Sequence, residues 1–261
     1  VLALRAVLIN GEILDTSAVN SVDVLENIDV LELSDSSKRL HQTIAQHCKE
    51  KRAAIIKDLP QLNRFLTGYD LKNVFNEDES EFNLTRILTG SEGSLAFICE
   101  AKLNLLPIPQ YRTLINIKYR SFDAALRNAP FMVKANALSV ETVDSKVLNL
   151  AKQDIIWHSM NELLTEDEKD PILGLNIVEL TGNNKEKIDH QVTALCPLLD
   201  EKIEHNQDHI IGYQVCSDLP SIERIYAMRK KAVGLLGNAK GAAKPIPFVE
   251  DTCVPPENLA D

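Results

Sequence analysis

Hydrophobic and polar positions change rhythm along the chain in a way that separates its elements. Leu2 to Asn10 and Glu12 to Thr16 are alternating runs on either side of Asn10-Gly11, the dipeptide that most strongly marks a β-hairpin. Residues 17–36 are rich in acids and small polar side chains with weak periodicity, and read as a loop or insertion. Apolar residues return at helical spacing from Lys38 to Leu59, with Pro60 as the stop. Asn63 to Phe75 predicts a turn at Gly68-Tyr69-Asp70 and a short helix anchored by Leu71, Val74 and Phe75, and Asn76 to Glu81 an acidic loop. A polar loop, Thr89-Gly90-Ser91-Glu92-Gly93-Ser94, then opens into a strand from Leu95 to Leu105. Phe97, Cys99, Ala101, Leu103 and Leu105 fall on one face of it, with Glu100, Lys102 and Asn104 on the other; Pro107 and Pro109 close it.

After Pro109 strands and long helices alternate. Strands are predicted at Tyr111 to Tyr119, Leu138 to Val143, Ile172 to Thr181 and Ile210 to Cys216. Helices are predicted at Phe122 to Ala135, from Asp144 to Lys152, at Lys185 to His205, and at Asp218 to Leu236 with Asp218 as N-cap. No glycine-rich dinucleotide fingerprint follows any of these strands, which speaks against a doubly wound sheet. The expected fold class is α+β, ending in a ferredoxin-like antiparallel sheet with helices on one face.

Composition narrows the partners. The 261 residues are 44% hydrophobic, enough for one large or two ordinary cores, and the net charge of -10 argues against a nucleic-acid partner, which needs a basic face. No apolar run approaches the ~18 residues of a membrane span. Cys48, Cys99, Cys196, Cys216 and Cys253 are odd in number and widely spaced, without CxxC, and read as reduced, mostly buried thiols of a cytoplasmic protein. Val1 falls within a strand pattern and Asp261 just after a helix start, so the chain reads as a piece of a longer protein.

Gly90 and Gly93 frame polar residues, and glycine there permits positive φ and close approach of a ligand to bare main chain. By itself such a loop is most often only a turn. The full string TGSEGSLAFICEAKLNLLPIP, however, resembles the end of the flavin-binding domain of the FAD-linked oxidase family, which usually has Gly-Ser-Glu-Gly-Thr-Leu-Gly at this point. Ser94 keeps the hydroxyl of the threonine; Ala96 replaces the last glycine and tightens any approach there. LRAVLINGE and NRFLTGYDLKNVF resemble two further family elements. A last resemblance, ERIYAMRKKAVGLLGNAKGAAKPIPFVEDTCVPPENLAD, covers the C-terminal end.

The resemblance implies that residues 1–109 are the second half of an FAD-binding domain and residues 110–261 a truncated substrate-side domain. It implies FAD contacts at Gly68, Tyr69, Gly90, Ser91, Glu92, Gly93, Ser94 and Leu95, and a substrate carboxylate held by Arg229, with Lys244 as a second candidate. A planar guanidinium suits a carboxylate because it offers two parallel hydrogen bonds. On sequence alone, Arg229-Lys230-Lys231 also reads as a solvated basic turn, Lys244 as a wet surface residue, and Glu250 and Asp251 as backbone-satisfying acids. In the full enzyme the implied reaction is oxidation of a D-2-hydroxyacid of the lactate, glycolate or 2-hydroxyglutarate type by hydride transfer to flavin. The electron acceptor stays open, and no catalytic base is expected within these residues. The isolated piece is expected to bind FAD weakly or not at all. His205 and His209 are four apart, but HNQDH has no third ligand nearby, so no metal site is assigned. Two alternatives remain: a non-redox FAD transferase on the same scaffold, such as an ether-lipid synthase, and a non-catalytic module on a degenerate flavin fold.

Overall fold

The computed structural model describes residues 1–59, 68–160, 162–237 and 254–261. The chain divides into two compact units, one containing Val1–Leu106, the other beginning at Pro107 and including Pro256–Asp261.

The first unit starts with the expected hairpin, β1 (Ala3–Leu8) and β2 (Ile13–Thr16), reversed where Gly11 takes φ 80°. Residues 17–36 are more ordered than their weak periodicity predicts. They form β3 (Ala18–Asn20), α1 (Ser21–Glu26) and a 3-10 turn at Ile28–Val30. The cause is capping: the Asn20 side chain accepts hydrogen bonds from the Val22 and Asp23 amides, which satisfies donors that a short helix otherwise leaves bare. The predicted long helix is two, α2 (Asp35–Glu50), capped by Ser34, and α3 (Arg52–Asp58), interrupted where Lys51 leaves helical geometry. No helix forms over Gly68 to Phe75; Asp70 instead accepts from the Asn73 amide and side chain in a turn, while Val74 and Phe75 sink into the core.

β4 (Glu81–Asn83) pairs with β3, and α4 (Thr85–Thr89) carries the chain into the glycine loop. α4 is tied to the hairpin by a buried hydroxyl pair, Thr16 Oγ1 and Thr85 Oγ1, 2.8 Å apart. β5 (Ala96–Lys102) runs antiparallel to β1, giving the strand order β2-β1-β5. Its alternation predicts one buried face, yet Phe97 is 74% exposed and Ile98 43%. β5 is the edge strand, and among the described residues β1 is its one strand partner.

The second unit matches its sequence pattern closely. β6 (Tyr111–Tyr119), α5 (Phe122–Lys134), β7 (Ser139–Asp144), α6 (Ser145–Lys152), β8 (Gly174–Gly182), α7 (Lys185–Glu204), β9 (Ile210–Cys216) and α8 (Leu219–Gly237) follow in order. Asp218 accepts from the Ser221 amide at 2.9 Å, as an N-cap should. The sheet order β7-β8-β6-β9, antiparallel throughout, is the ferredoxin-like arrangement. Its helices cover both faces, not one. Ile115, Ile117, Tyr119 and Val178 pack against Ala125 and Met132 of α5 and Leu195 and Leu199 of α7. Leu114, Leu175 and Ile177 pack against Leu148 of α6 and Ile222, Ile225 and Met228 of α8. The period-two alternation of β6 and β8 is apolar on both sides, which is what a doubly covered sheet requires. Among the described residues, no helix is long and apolar enough to cross a membrane.

Candidate functional site

The glycine loop owes its shape to α4 and to its own hydroxyls. Ser91 is buried and donates from Oγ to the Leu88 carbonyl at 2.8 Å; Ser94 donates from Oγ to the Ser91 carbonyl at 2.6 Å and meets the Tyr69 hydroxyl at 2.9 Å. The turn is therefore pinned from within, and the two serine hydroxyls expected to face a ligand are engaged with protein. Positive φ falls at Glu92 (47°) and Gly93 (77°), not at Gly90, whose φ is -100°. A Cβ on Gly90 would stand 1.9 Å from the Gly68 carbonyl oxygen, so its missing side chain makes room for the neighbouring chain. Around Gly93 a Cβ would meet nothing within 4 Å. Glu92, Gly93, Ser94, Leu95 and Tyr69 are exposed. One stretch of this loop thus offers bare main chain, while Gly68 and Gly90 form its floor.

Arg229 lies on α8, one turn beyond Tyr226. Its Nε forms an ion pair with Glu141 Oε2 of β7, and its side chain keeps 47% exposure. It lines a cavity of about 330 Å³ with Phe122, Glu141, Thr142, Val143, Asp144 and Val147. Asp144 is committed elsewhere, since its Oδ1 caps α6 by accepting from the Val147 amide at 2.8 Å. Lys231 pairs with Asp154 at 2.7 Å, so two of the three cations of this stretch are ion-paired on α8 while all three stay exposed. Lys244, Glu250, Asp251 and Cys253 lie outside the described residues.

Sequence reasoning missed the group that holds α8 in place. Glu179, buried on β8, forms an ion pair with Arg112 Nε at 2.7 Å and accepts hydrogen bonds from the Tyr226 hydroxyl at 2.5 Å and the Ser139 hydroxyl at 3.3 Å. Burial, with the Glu179 carboxylate beside it, pushes the Tyr226 phenol well above its ordinary pKa, so it stays a donor. A charge inside the apolar run Leu175 to Leu180 was the available signal. His205 Nδ1 sits 2.8 Å from the Glu201 carbonyl, while Asn206, Asp208 and His209 take positive φ and turn the chain away from α7. Among the described residues, no group of three or more His, Cys, Asp and Glu converges as a metal site. Cys99 is exposed, against the expectation of mostly buried thiols, whereas Cys48 and Cys216 are buried.

Residues 108–261 match the profile of the FAD linked oxidases, C-terminal domain. The chain belongs to the FAD-linked oxidase family. It is 97% identical over all 261 residues to a D-2-hydroxyglutarate dehydrogenase of Haemophilus influenzae and 60% identical over the same length to one of Escherichia coli. To one of Pseudomonas putida it is 45% identical over 221 residues, 84% of this chain. The chain spans about a quarter of the length of these curated relatives. As the family's cofactor, FAD fits what the loop offers. The exposed main chain at Gly93, with open space where a Cβ would stand, admits a flat ring system or a phosphate edge.

Proposed function

We propose that the full-length protein is a flavin-dependent dehydrogenase of a D-2-hydroxyacid, with D-2-hydroxyglutarate as the substrate. The observation that carries this reading is the unbroken 261-residue match, at 97% identity, to a relative bearing that name. In this reading residues 1–109 are the second half of the flavin-binding domain and residues 110–261 the substrate-side domain. When bound, FAD supplies the acceptor for the hydride leaving the substrate α-carbon. Glu92, Gly93, Ser94 and Leu95 present main chain to it, with Tyr69 at the edge; Gly68, Gly90 and Ser91 hold the turn in shape.

Arg229 binds a substrate carboxylate. The support is geometric: a guanidinium on the wall of a cavity, fixed at one end and open at the other, gives a two-pronged hold that orients the α-carbon. The base that takes the hydroxyl proton comes from the part of the protein beyond these residues. A cytoplasmic location accords with thiols that carry no disulfide among the described residues. The test is turnover by the full-length protein with an artificial electron acceptor and a panel of D-lactate, glycolate and D-2-hydroxyglutarate. Acceptor reduction is expected with D-2-hydroxyglutarate far above the others. Absence of reduction with every hydroxyacid would favour the non-redox transferase or the degenerate module.

A further inference from the structure

We infer that Glu141 is a positioning residue for Arg229, selecting which edge of the guanidinium meets the substrate; this rests on the carboxylate-binding role proposed for Arg229. A guanidinium has two edges that can take a carboxylate, one formed by Nε and an Nη, the other by Nη1 and Nη2. Glu141 Oε2 forms an ion pair with Nε that lacks the alignment of a hydrogen bond, and Nη1 and Nη2 have no ion-pair partner or hydrogen bond within the described residues. The carboxylate crowds the Nε side of the guanidinium, and the end-on edge is left for a ligand in the cavity that both residues line.

The surroundings keep this arrangement rigid. Glu141 is on β7 opposite Ile177 of β8, on the sheet face that α8 covers, and its side chain is only 29% exposed. Two residues earlier, Ser139 shares that face and donates to Glu179, which also takes the Tyr226 hydroxyl one turn before Arg229. Ile222, Ile225 and Met228 bury the helix against the sheet. The sheet thus holds α8 at Tyr226 and the guanidinium itself at Glu141. A long side chain with several rotatable bonds would otherwise lose orientation entropy on binding, and the Glu141 contact removes part of that loss beforehand. Asp144 faces the same cavity with its carboxylate committed to the α6 amide, which leaves Glu141 as the acid that acts on Arg229.

The experiment uses the full-length flavoprotein with D-2-hydroxyglutarate and an artificial acceptor, comparing E141Q, R229M and the double variant at equal flavin content. E141Q is expected to raise KM about tenfold with kcat within twofold, the size of a typical coupling between contacting side chains. The double variant should match R229M, because Glu141 acts only through the guanidinium. E141D, which keeps the charge but shortens the reach, should fall between wild type and E141Q, and it replaces E141Q if that variant does not fold. If R229M raises KM while E141Q leaves it unchanged, or if the two effects add, Glu141 is not a positioning residue although the role of Arg229 stands. A fall in KM for E141Q also overturns the inference, since Glu141 would then compete with substrate. An unchanged KM in R229M overturns the carboxylate reading itself, and the inference with it.

Discussion

Replacing Gly90 with alanine separates two reasons for a glycine in this loop. If Gly90 is there to admit cofactor, alanine should weaken flavin binding and little else. The structure points to a different cost: the new methyl would stand 1.9 Å from the Gly68 carbonyl oxygen and 2.8 Å from its carbon, both backbone atoms with no side chain to swing aside. Ordinary contact begins at 3.4 Å, so one of the two segments must move by more than an ångström. Overpacking costs about 1–3 kcal/mol, and a backbone-to-backbone clash belongs at the upper end. At about 3 kcal/mol, the local opening equilibrium of α4 and its loop should rise roughly a hundredfold, since ~1.4 kcal/mol is a factor of ten. Hydrogen-deuterium exchange of the full-length protein reads this directly in peptides covering Thr85–Ser94. Gly93→Ala is the control: nothing stands within 4 Å, and only the positive φ is penalised, about 1 kcal/mol. G93A should therefore exchange about fivefold faster while weakening flavin binding more than its stability loss explains. Exchange in G90A within twofold of wild type would refute the packing role of Gly90.

Two further outcomes follow from buried polar groups. Asn176 is fully buried, donating to the Tyr119 hydroxyl at 3.2 Å and the Ala125 carbonyl at 2.9 Å while accepting from the Thr142 hydroxyl at 2.8 Å. N176A strands these partners and should destabilise the second unit by about 3 kcal/mol, read as faster exchange in β6 and β8. His41 is buried beside the Phe82 ring, with Nδ1 2.8 Å from the Ser37 carbonyl, and burial lowers its pKa below 6.5. A lowered folded-state pKa means that the unfolded chain binds the extra proton. The stability is therefore complete above pH 6.5 and declines as pH falls below it, and H41L should flatten that slope in exchange of α2 between pH 7 and pH 5.

The second unit was the more legible half, for a physical reason. Its strands are long, apolar and bounded by capped helices, so β6 and β9 match their predicted spans residue for residue. Helices on the second face of the sheet could have been read from β8, where Leu175, Val178 and Leu180 leave no polar side. The first unit hid more because its short elements depend on single caps such as Asn20 and Ser34, which no periodicity reveals. Of the residues proposed to bind substrate, Arg229 was visible through its motif. Glu141 was not, because a charge alternating with Ser139 and Val143 on an edge strand looks like any solvent-facing residue until α8 closes over it. The loop glycines show the converse: their spacing was conspicuous, but only coordinates distinguish the one that packs from the one that lies open.

The most direct test of the account is the anaerobic reaction of the full-length flavoprotein with D-2-hydroxyglutarate, followed by flavin absorbance, in wild type and R229M. Wild type should bleach stoichiometrically. R229M should need roughly 30- to 1000-fold more substrate for half-saturation, the cost of losing a charged pair of about 2–4 kcal/mol. An unbleached wild type, or an R229M that saturates at the same concentration, would contradict it.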